Sequence, residues 1–566
     1  MSQWNLAKKH SNDLFEQLMG VRGLNAEDRE RFLSPDWERD THHPSTFTHM
    51  KRAVGMIFDA LSNNAMVTIH GDYDADGTCG SAVLYETLCE VAASLGWTPT
   101  VDVFLPDREE DGYGVAMHTI ERLGKNGTKL LITVDCGIAN APQLNRAHEL
   151  GMEVVICDHH QLAEELPAHA AIIHPLAPGE TYPNKSLCGT GVAFKLAWAL
   201  FDEARERGAA IPEGRHKWLM DLVGIATVTD VMPLLGENRT LEYFGLKTLN
   251  QTKRPGLLAL IAQSRSELGS IDTTTIGFRL GPRINAAGRV ASAHEAFKAL
   301  TASSQEEAVQ LVARLEELNQ RRRQLTESAY KEARALINGR EDNFVHVVWS
   351  ETWAPGIVGL IAGKLANEFG RPAFALTRAG EQYVGSGRTA GGLHLVEAMR
   401  ACGDIFVKAG GHPQACGLTI DAPELLQTFH IAVNAYAKEI FGGVAPEQTI
   451  DIDAELSLSD VDWNTWELLS SFQPYGEGNR EPIFLSRNLQ IVNAQAVGST
   501  GSHLKLTVNP PSGRVWKMIG FGFGAWADKV NMGDAIDVLY KLRVNEWNGN
   551  RDLEGEIVDM RYTGRV

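Results

Sequence analysis

The sequence predicts an α/β protein: a parallel-sheet domain, a long connecting helix, a second α/β unit and a small β-barrel at the C-terminal end. Three observations predict it. Short β-branched apolar runs alternate with helix-length stretches in the first half of the chain, one unbroken helical spacing covers Ser304 to Leu336, and short strands with turn punctuation fill the end.

The first run, Ala65 to Ile69, ends in His70-Gly71-Asp72-Tyr73-Asp74-Ala75-Asp76-Gly77. Lys129 to Val134 ends in Asp135-Cys136-Gly137, and Met152 to Cys157 ends in Asp158-His159-His160. Ser81 to Leu95 and Ala141 to Leu150 are helix-length stretches between them. Strand and helix alternating in this way give a parallel sheet, whose ligand crevice lies beyond the carboxyl ends of its strands. The three polar clusters are therefore expected on one edge. A lone Asp-rich turn is usually a solvated loop or a helix cap, which accounts for one cluster but not for three. Acids this close repel one another unless a cation sits among them. Convergence of His70, Asp74, Asp76, Asp135, His159 and a later acid predicts a binuclear metal site. Carboxylate and imidazole, with no cysteine in metal-ligand spacing, favour two divalent cations of the Mn²⁺ or Mg²⁺ kind over structural zinc, and the histidines tilt the choice toward Mn²⁺. Phosphoester hydrolysis is the leading chemistry.

On these residues the chain resembles the DHH phosphoesterase superfamily, named for a triplet like Asp158-His159-His160, and within it the RecJ type of single-strand-specific 5′→3′ exonuclease. His70 with Asp74 and Asp76 looks like the first motif, Val134 to Gly137 the second, and Thr227-Val228-Thr229-Asp230-Val231 the fourth. The resemblance implies one ion on His70, Asp74 and Asp135 and another on Asp76, Asp135, His159 and Asp230, with Asp135 bridging. It implies supporting roles for Asp72 and Asp158, and contact of His160 with the scissile phosphate. From the residues alone, Asp230 ends a helix-like stretch, Trp218 to Val228, where a lone Asp is more often a solvated terminal residue.

Gly281-Pro282-Arg283-Ile284-Asn285-Ala286-Ala287-Gly288-Arg289 is turn-rich and doubly cationic, which the residues alone leave between an exposed loop and a phosphate-binding segment. The resemblance implies nucleic-acid contacts for Arg283, Asn285 and Arg289. In the long helix, Arg321-Arg322-Arg323 is either a solvated face or the border of a DNA channel. The second α/β unit begins with the strand Val345 to Trp349 and the helix Val358 to Phe369. It carries Gly385-Ser386-Gly387-Arg388 and Gly410-Gly411-His412, each expected as a glycine-rich turn able to approach an anion. Together they resemble the substrate-binding, DHHA1-type lobe of the superfamily. That implies a 5′-phosphate role for Ser386 and Arg388, binding roles for Gly410, Gly411 and His412, and Arg108 as a companion.

Ile450 to Leu456, Asn488 to Val497, Leu504 to Val508, Val515 to Phe521, Ala535 to Val544 and Leu553 to Met560 are the predicted barrel strands. Turns such as Pro511-Ser512-Gly513 and Asn548-Gly549-Asn550 separate them, and an OB-fold fits best. Trp516, Trp526 and Trp547 either stack bases or fill the core, the commoner use. The expected organisation is an N-terminal segment (1–50), a DHH catalytic domain (51–240), a helical connector (241–340), a DHHA1-type domain (341–442) and an OB-fold nucleic-acid-binding domain (447–566).

At 566 residues the chain is too long for one core. Its 53 basic against 71 acidic side chains, a net −18, argue against indiscriminate polyanion binding and for a narrow cationic path that threads one strand. Seven scattered cysteines with no CxxC pair suggest reduced thiols. Met1 to Met19 has no apolar core segment and no run reaches membrane length, so the expectation is a cytoplasmic protein without a signal peptide or membrane contact. The resemblance implies a processive exonuclease that releases mononucleotides from single-stranded DNA with a 5′ end, in recombination and repair, with a single-strand-binding protein and helicases as accessory partners. Two rivals stand beside it. Oligoribonucleotide or nucleotide phosphatases of the superfamily end after the Gly-Gly-His lobe, leaving 447–566 surplus, and non-catalytic replication scaffolds lose ligands that this chain keeps.

Overall fold

A computed structural model describes residues 2–339, 342–547 and 550–564, with the Trp547 side chain outside the described residues. The chain divides into two compact units, residues 36–446 and a second made of 1–35 with 447–566. The larger unit is built on a five-stranded sheet of β1 (Met66–His70), β2 (Thr100–Phe104), β3 (Leu130–Val134), β4 (Glu153–Cys157) and β5 (Ala171–Ile173). All its pairings are parallel and the order is β2-β1-β3-β4-β5. The strand order reverses at the β1–β3 boundary, where an open parallel sheet leaves a crevice at its carboxyl edge. β3 is buried along its whole length because helices cover both faces, and for that reason it reads as a continuous apolar run. β2 and β5 escape the sequence reading. β2 is a partly exposed edge strand with an Asp in its middle, and β5 has only three residues.

α1 (Ala75–Ser94) starts earlier than the expected Ser81, because Asp74 caps it and Gly77 and Gly80 lie within its first turns. α2 (Gly189–Glu206) and α3 (Met220–Thr229) pack beside it. Gly281 to Arg289, which the residues left open to being a loop, is the helix α4 (Gly281–Val290), with Pro282 in its first turn and Ile284, Ala286 and Ala287 buried. Gly288 is required there, since a Cβ would overlap the Tyr73 carbonyl oxygen. α5 (Gln305–Ile337) is capped by Ser304, whose hydroxyl accepts from Glu307 N at 3.2 Å. Its Ala308, Val312, Leu315 and Leu318 belong to the core of the first sheet, while Ala329, Ala333 and Ile337 belong to a second core with Ile357, Ile361 and Leu365. One rigid helix therefore joins two cores.

The second sheet holds β6 (His346–Ser350), β7 (Ala373–Ala379), β8 (Gln382–Arg388), β9 (Lys408–Gly411) and β10 (Ala415–Ile420), in the order β9-β10-β8-β7-β6. Only β6 and β7 run parallel. α6 (Val358–Phe369) packs against β7 and β8. The two glycine motifs expected as turns lie in strands instead. Gly385 faces Leu376, and Gly387 faces Phe374 and Cys416, so a side chain at either would collide with the core.

In the smaller unit the strands Phe484–Val497, His503–Asn509, Trp516–Gly520, Asn550–Tyr562 and Ala535–Trp547 pair in that order, and the last pairs back to the first. Trp516 fills its core, and Trp526 is half-buried. The Trp547 side chain and the turn residues Asn548 and Gly549 lie outside the described residues. Gln3–Leu6 pairs in parallel with Thr449–Ile452, and Leu18, Met19 and Phe32 join the barrel core. The stretch 1–50 is thus shared between the two units, because its first part has apolar side chains that only this core covers. All seven cysteines are free thiols, and no helix among the described residues is long and apolar enough to cross a membrane.

One buried ion pair ties α2 to the rest of the larger unit. Lys195 Nζ lies 2.8 Å from Glu237 Oε1 with both side chains fully buried, and Glu237 also accepts from the Tyr182 hydroxyl and from His42 N. Lys195→Met strands that carboxylate, so the expected outcome is a loss of about 3–5 kcal/mol, read as a lower midpoint in urea unfolding.

Candidate active site

The site forms where β1 and β3 end. His70, the last residue of β1, is fully buried, with Nδ1 3.7 Å from Cys136 Sγ. Asp74 caps α1, its Oδ1 accepting from Asp76 N at 2.9 Å and Gly77 N at 3.1 Å. Asp76 points to the start of α2, where its two oxygens accept from Gly189 N and Thr190 N, each at 2.7 Å. Asp135 follows β3 in a left-handed conformation, φ 61°, unusual for a residue with a Cβ and characteristic of a functional constraint. Gly189 carries no Cβ because one would overlap the Asp135 side chain. Asp158 after β4 accepts from Ile138 N at 3.0 Å, His159 N at 2.7 Å and His160 Nδ1 at 2.8 Å. Asp230 is the C-cap of α3, and not a solvated terminus.

These groups converge. His159 Nε2 lies 3.1 Å from Asp135 Oδ1, 3.5 Å from Asp230 Oδ2 and 3.7 Å from Asp76 Oδ2. Three sets have ligand atoms within 4.8 Å of one another: Asp135 with His159 and His160, Asp76 with His159 and Asp230, and Asp72 with Asp74 and Asp135. His70 is in none of these sets, whereas Asp72 and His160, expected in supporting and substrate-contacting roles, are.

Burial, then repulsion by Asp74, raises Asp72 to about 8. Asp74, Asp135 and Asp230 are also shifted up, first by burial and then by neighbouring carboxylates, Asp76 foremost. Burial lowers His70 and His159 to about 4, so both imidazoles are neutral and free to ligate. For Asp158 burial acts upward, but the hydrogen bond and charge of His160 outweigh it and the pKa is lowered. For His160 burial acts downward, and Asp158 reverses it to a net rise.

Whether cations fit here is decided by the buried atoms. His70 Nε2, Asp72 Oδ1, Asp135 Oδ1, His159 Nε2 and Asp230 Oδ2 are all buried and have no hydrogen-bond partner among the described residues. Leaving one such atom unsatisfied costs about 1–3 kcal/mol, more for a charge. Five together are a donor set of oxygen and imidazole nitrogen that suits a pair of Mn²⁺ or Mg²⁺ ions.

A group of arginines lies beside these donors. The Arg108 guanidinium stacks on Tyr73, 3.7 Å from the ring centre, and its Nε donates to Gly288 O at 3.3 Å. Arg289 donates to Gly356 O at 3.1 Å, and burial followed by the charges of Arg108, Arg388 and Arg322 lowers it to about 9. At the first turn of α6, a Cβ on Gly359 would lie 3.1 Å from Arg388 Nη2 and 3.4 Å from Ser386 Oγ. Ser386 and Arg388 thus share a helix N-terminus, a natural anion seat. Gly410, Gly411 and His412 are exposed, and the His412 ring is 6.0 Å from that of His160.

Two residues expected as nucleic-acid contacts are engaged within the protein. Arg283 pairs with Glu316 of α5 at 2.6 Å, and Asn285 Oδ1 accepts from Ala75 N at 2.8 Å, fastening the metal-side loop to α4. Of the basic run in α5, Arg322 is turned inward, and it lines a groove of about 840 Å³ with Arg323, Lys331 and Lys364. Sequence reasoning missed the Gly189 and Thr190 amides and exposed Tyr113, whose ring is 5.4 Å from His160. Backbone amides leave no mark in a sequence, but Tyr113 between two glycines of positive φ was visible. Asn285→Ala frees the loop that carries Asp74 and Asp76, so calorimetric titration is expected to show Mn²⁺ affinity falling about 10- to 100-fold.

Residues 66–227 match the DHH family, N-terminal domain, 341–439 the DHHA1 domain and 452–559 the RecJ OB domain. The single-stranded-DNA-specific exonuclease RecJ of Escherichia coli is 30% identical over 565 residues, 96% of this chain and 94% of that protein. RecJ of Bacillus subtilis is 34% identical over 549 residues, 96% of this chain and 67% of that one. Among solved structures, RecJ of Thermus thermophilus in complex with Mn²⁺ superposes with a TM-score of 0.82 at 27% identity, covering 100% of this chain and 80% of that one. A crystal structure of T. thermophilus RecJ in complex with Mg²⁺ superposes with a TM-score of 0.75 at 25% identity, covering 100% and 79%. With the metal-ready donors, the arginine group and all three matched domains in one chain, the protein belongs to the RecJ family of single-stranded-DNA-specific exonucleases.

Proposed function

We propose that the chain hydrolyses single-stranded DNA from its 5′ end, one nucleotide per step and processively, in recombination and repair. The observation that carries this is five buried ligand atoms without hydrogen-bond partners among the described residues, beside an arginine group at a helix N-terminus. His70, Asp74 and Asp135 would hold one ion, and Asp76, Asp135, His159 and Asp230 the other. When bound, the two ions polarise the phosphoryl group, lower the pKa of water and steady the leaving oxygen. The protein's own part is positioning. Asp158 accepts from His160 Nδ1 and favours the protonated ring, whose second N–H donates to an oxygen of the scissile phosphate. Ser386, Arg388, Arg289 and Arg108 hold the terminal phosphate, and the spacing from there to the metal donors sets the length of each cut. Gly410, Gly411 and His412 border the strand. We assign a single-strand-binding protein and repair helicases as accessory partners, and the cytoplasm as the setting that suits seven free thiols.

End-labelled strands test the polarity. A 5′-phosphorylated strand with a blocked 3′ end is expected to shorten to mononucleotides in Mn²⁺ and to survive in chelator, whereas protection by the 3′ block overturns the assignment. Asp135→Asn is expected to lower kcat by about 10²- to 10³-fold. Arg388→Ala is expected to reduce the preference for 5′-phosphate over 5′-hydroxyl by about 10- to 100-fold, measured as the ratio of kcat/KM on the two strands.

A further inference from the structure

Asp158 holds the polar turn after β4 from its N-terminal side. Its Oδ1 accepts from His159 N at 2.7 Å, from His160 N at 3.1 Å and from His160 Nδ1 at 2.8 Å. Three bonds that meet at one oxygen make a pivot rather than a clamp. Residues 161–170, into which the chain runs on, form no helix or strand. A second point of attachment is needed to fix His160, and β5 supplies it.

His174 follows the last residue of β5 and is fully buried. The pairing of Cys157 with Ile173 carries it alongside Asp158, whose N donates to Ile173 O at 3.3 Å. His174 Nε2 lies 2.8 Å from the His160 carbonyl oxygen. Leu176 N donates to His174 Nδ1 at 3.0 Å. A ring nitrogen that accepts this bond carries no proton, so the neutral ring is protonated at Nε2 and donates to His160 O. The turn after β5 thereby sets the tautomer that the contact needs. With its amide on Asp158 and its carbonyl on His174, the His160 backbone is tied on both sides, and the direction of its side chain follows.

We propose that His174 is a positioning residue for phosphodiester hydrolysis: by holding the His160 carbonyl, it aims the second ring N–H of His160 at the scissile phosphate. A buried group that touches neither metal donor nor substrate thus acts through one that does, and a misplacement of about 1 Å at such a contact costs on the order of 100-fold in rate. The inference rests on the phosphate contact assigned to His160.

The test uses the full chain in Mn²⁺ on a 5′-phosphorylated single strand, with calorimetric titration of Mn²⁺ beside it. His174→Ala is expected to lower kcat about 10- to 100-fold while KM and Mn²⁺ affinity hold. His174→Asn, whose Oδ1 and Nδ2 replace the acceptor and the donor, should recover most of the loss. His174→Leu, which fills the space with neither, should stay slow, and it stands in for the Ala variant should that one fail to fold. Placed in a His160→Ala background, His174→Ala should lower kcat no further, because no ring remains to be aimed. An unchanged kcat, a fall in Mn²⁺ affinity that matches the fall in kcat, losses that add to that of His160→Ala, or recovery by Leu overturns the assignment. A His160→Ala variant as fast as the parent refutes the phosphate contact itself, a result distinct from all of these.

Discussion

The repulsion among carboxylates gathered at the β1–β3 edge governs the architecture of the larger unit. Two like charges 4 Å apart cost about 4 kcal/mol at the effective dielectric of a protein surface, and Asp72, Asp74, Asp76, Asp135 and Asp230 act on one another here. Among the described residues none of them is in an ion pair with an arginine. The fold supplies backbone amides to Asp74 and Asp76 and leaves other oxygens bare. Two divalent cations are the counter-charge that suits such a cluster, and the same oxygens and imidazole nitrogens give the site its chemistry.

Holding the metal side and the arginine group at a fixed distance is the second requirement, and α4 meets it. Within ten residues it contacts the Asp-rich loop through Asn285 and Gly288, α5 through Arg283, and the second lobe through Arg289. Each contact is a hydrogen bond or a close backbone approach, so the spacing resists deformation. α5 reinforces it by contributing to two cores at once.

A net charge of −18 is reconciled with a nucleic-acid substrate by localisation. Burial foremost, with neighbouring arginines adding to it, holds Arg289, Arg322 and Arg388 below the usual guanidinium range, so part of the basic charge is gathered in one place. Positive charge is thereby concentrated beside the metal donors of an otherwise acidic protein.

The sequence by itself determined the metal chemistry and the sheet that presents it. Asp and His at the ends of β-branched runs declare both a strand and a ligand, because period and chemistry are local properties; the helix Val358–Phe369 and the long connector were legible for the same reason. Tertiary structure alone decided the rest. Glycines at 385, 387, 281 and 288 look like turn signals but serve close packing in a strand and a helix, since what they avoid is a side chain or, for Gly288, a backbone carbonyl remote in sequence. Spacing along the chain does not show that Glu316 engages Arg283, or that Asp230 comes within 3.5 Å of His159 Nε2. A side chain's partner is set by where the backbone carries distant residues, and that distance is a property of the folded chain, not of spacing along it.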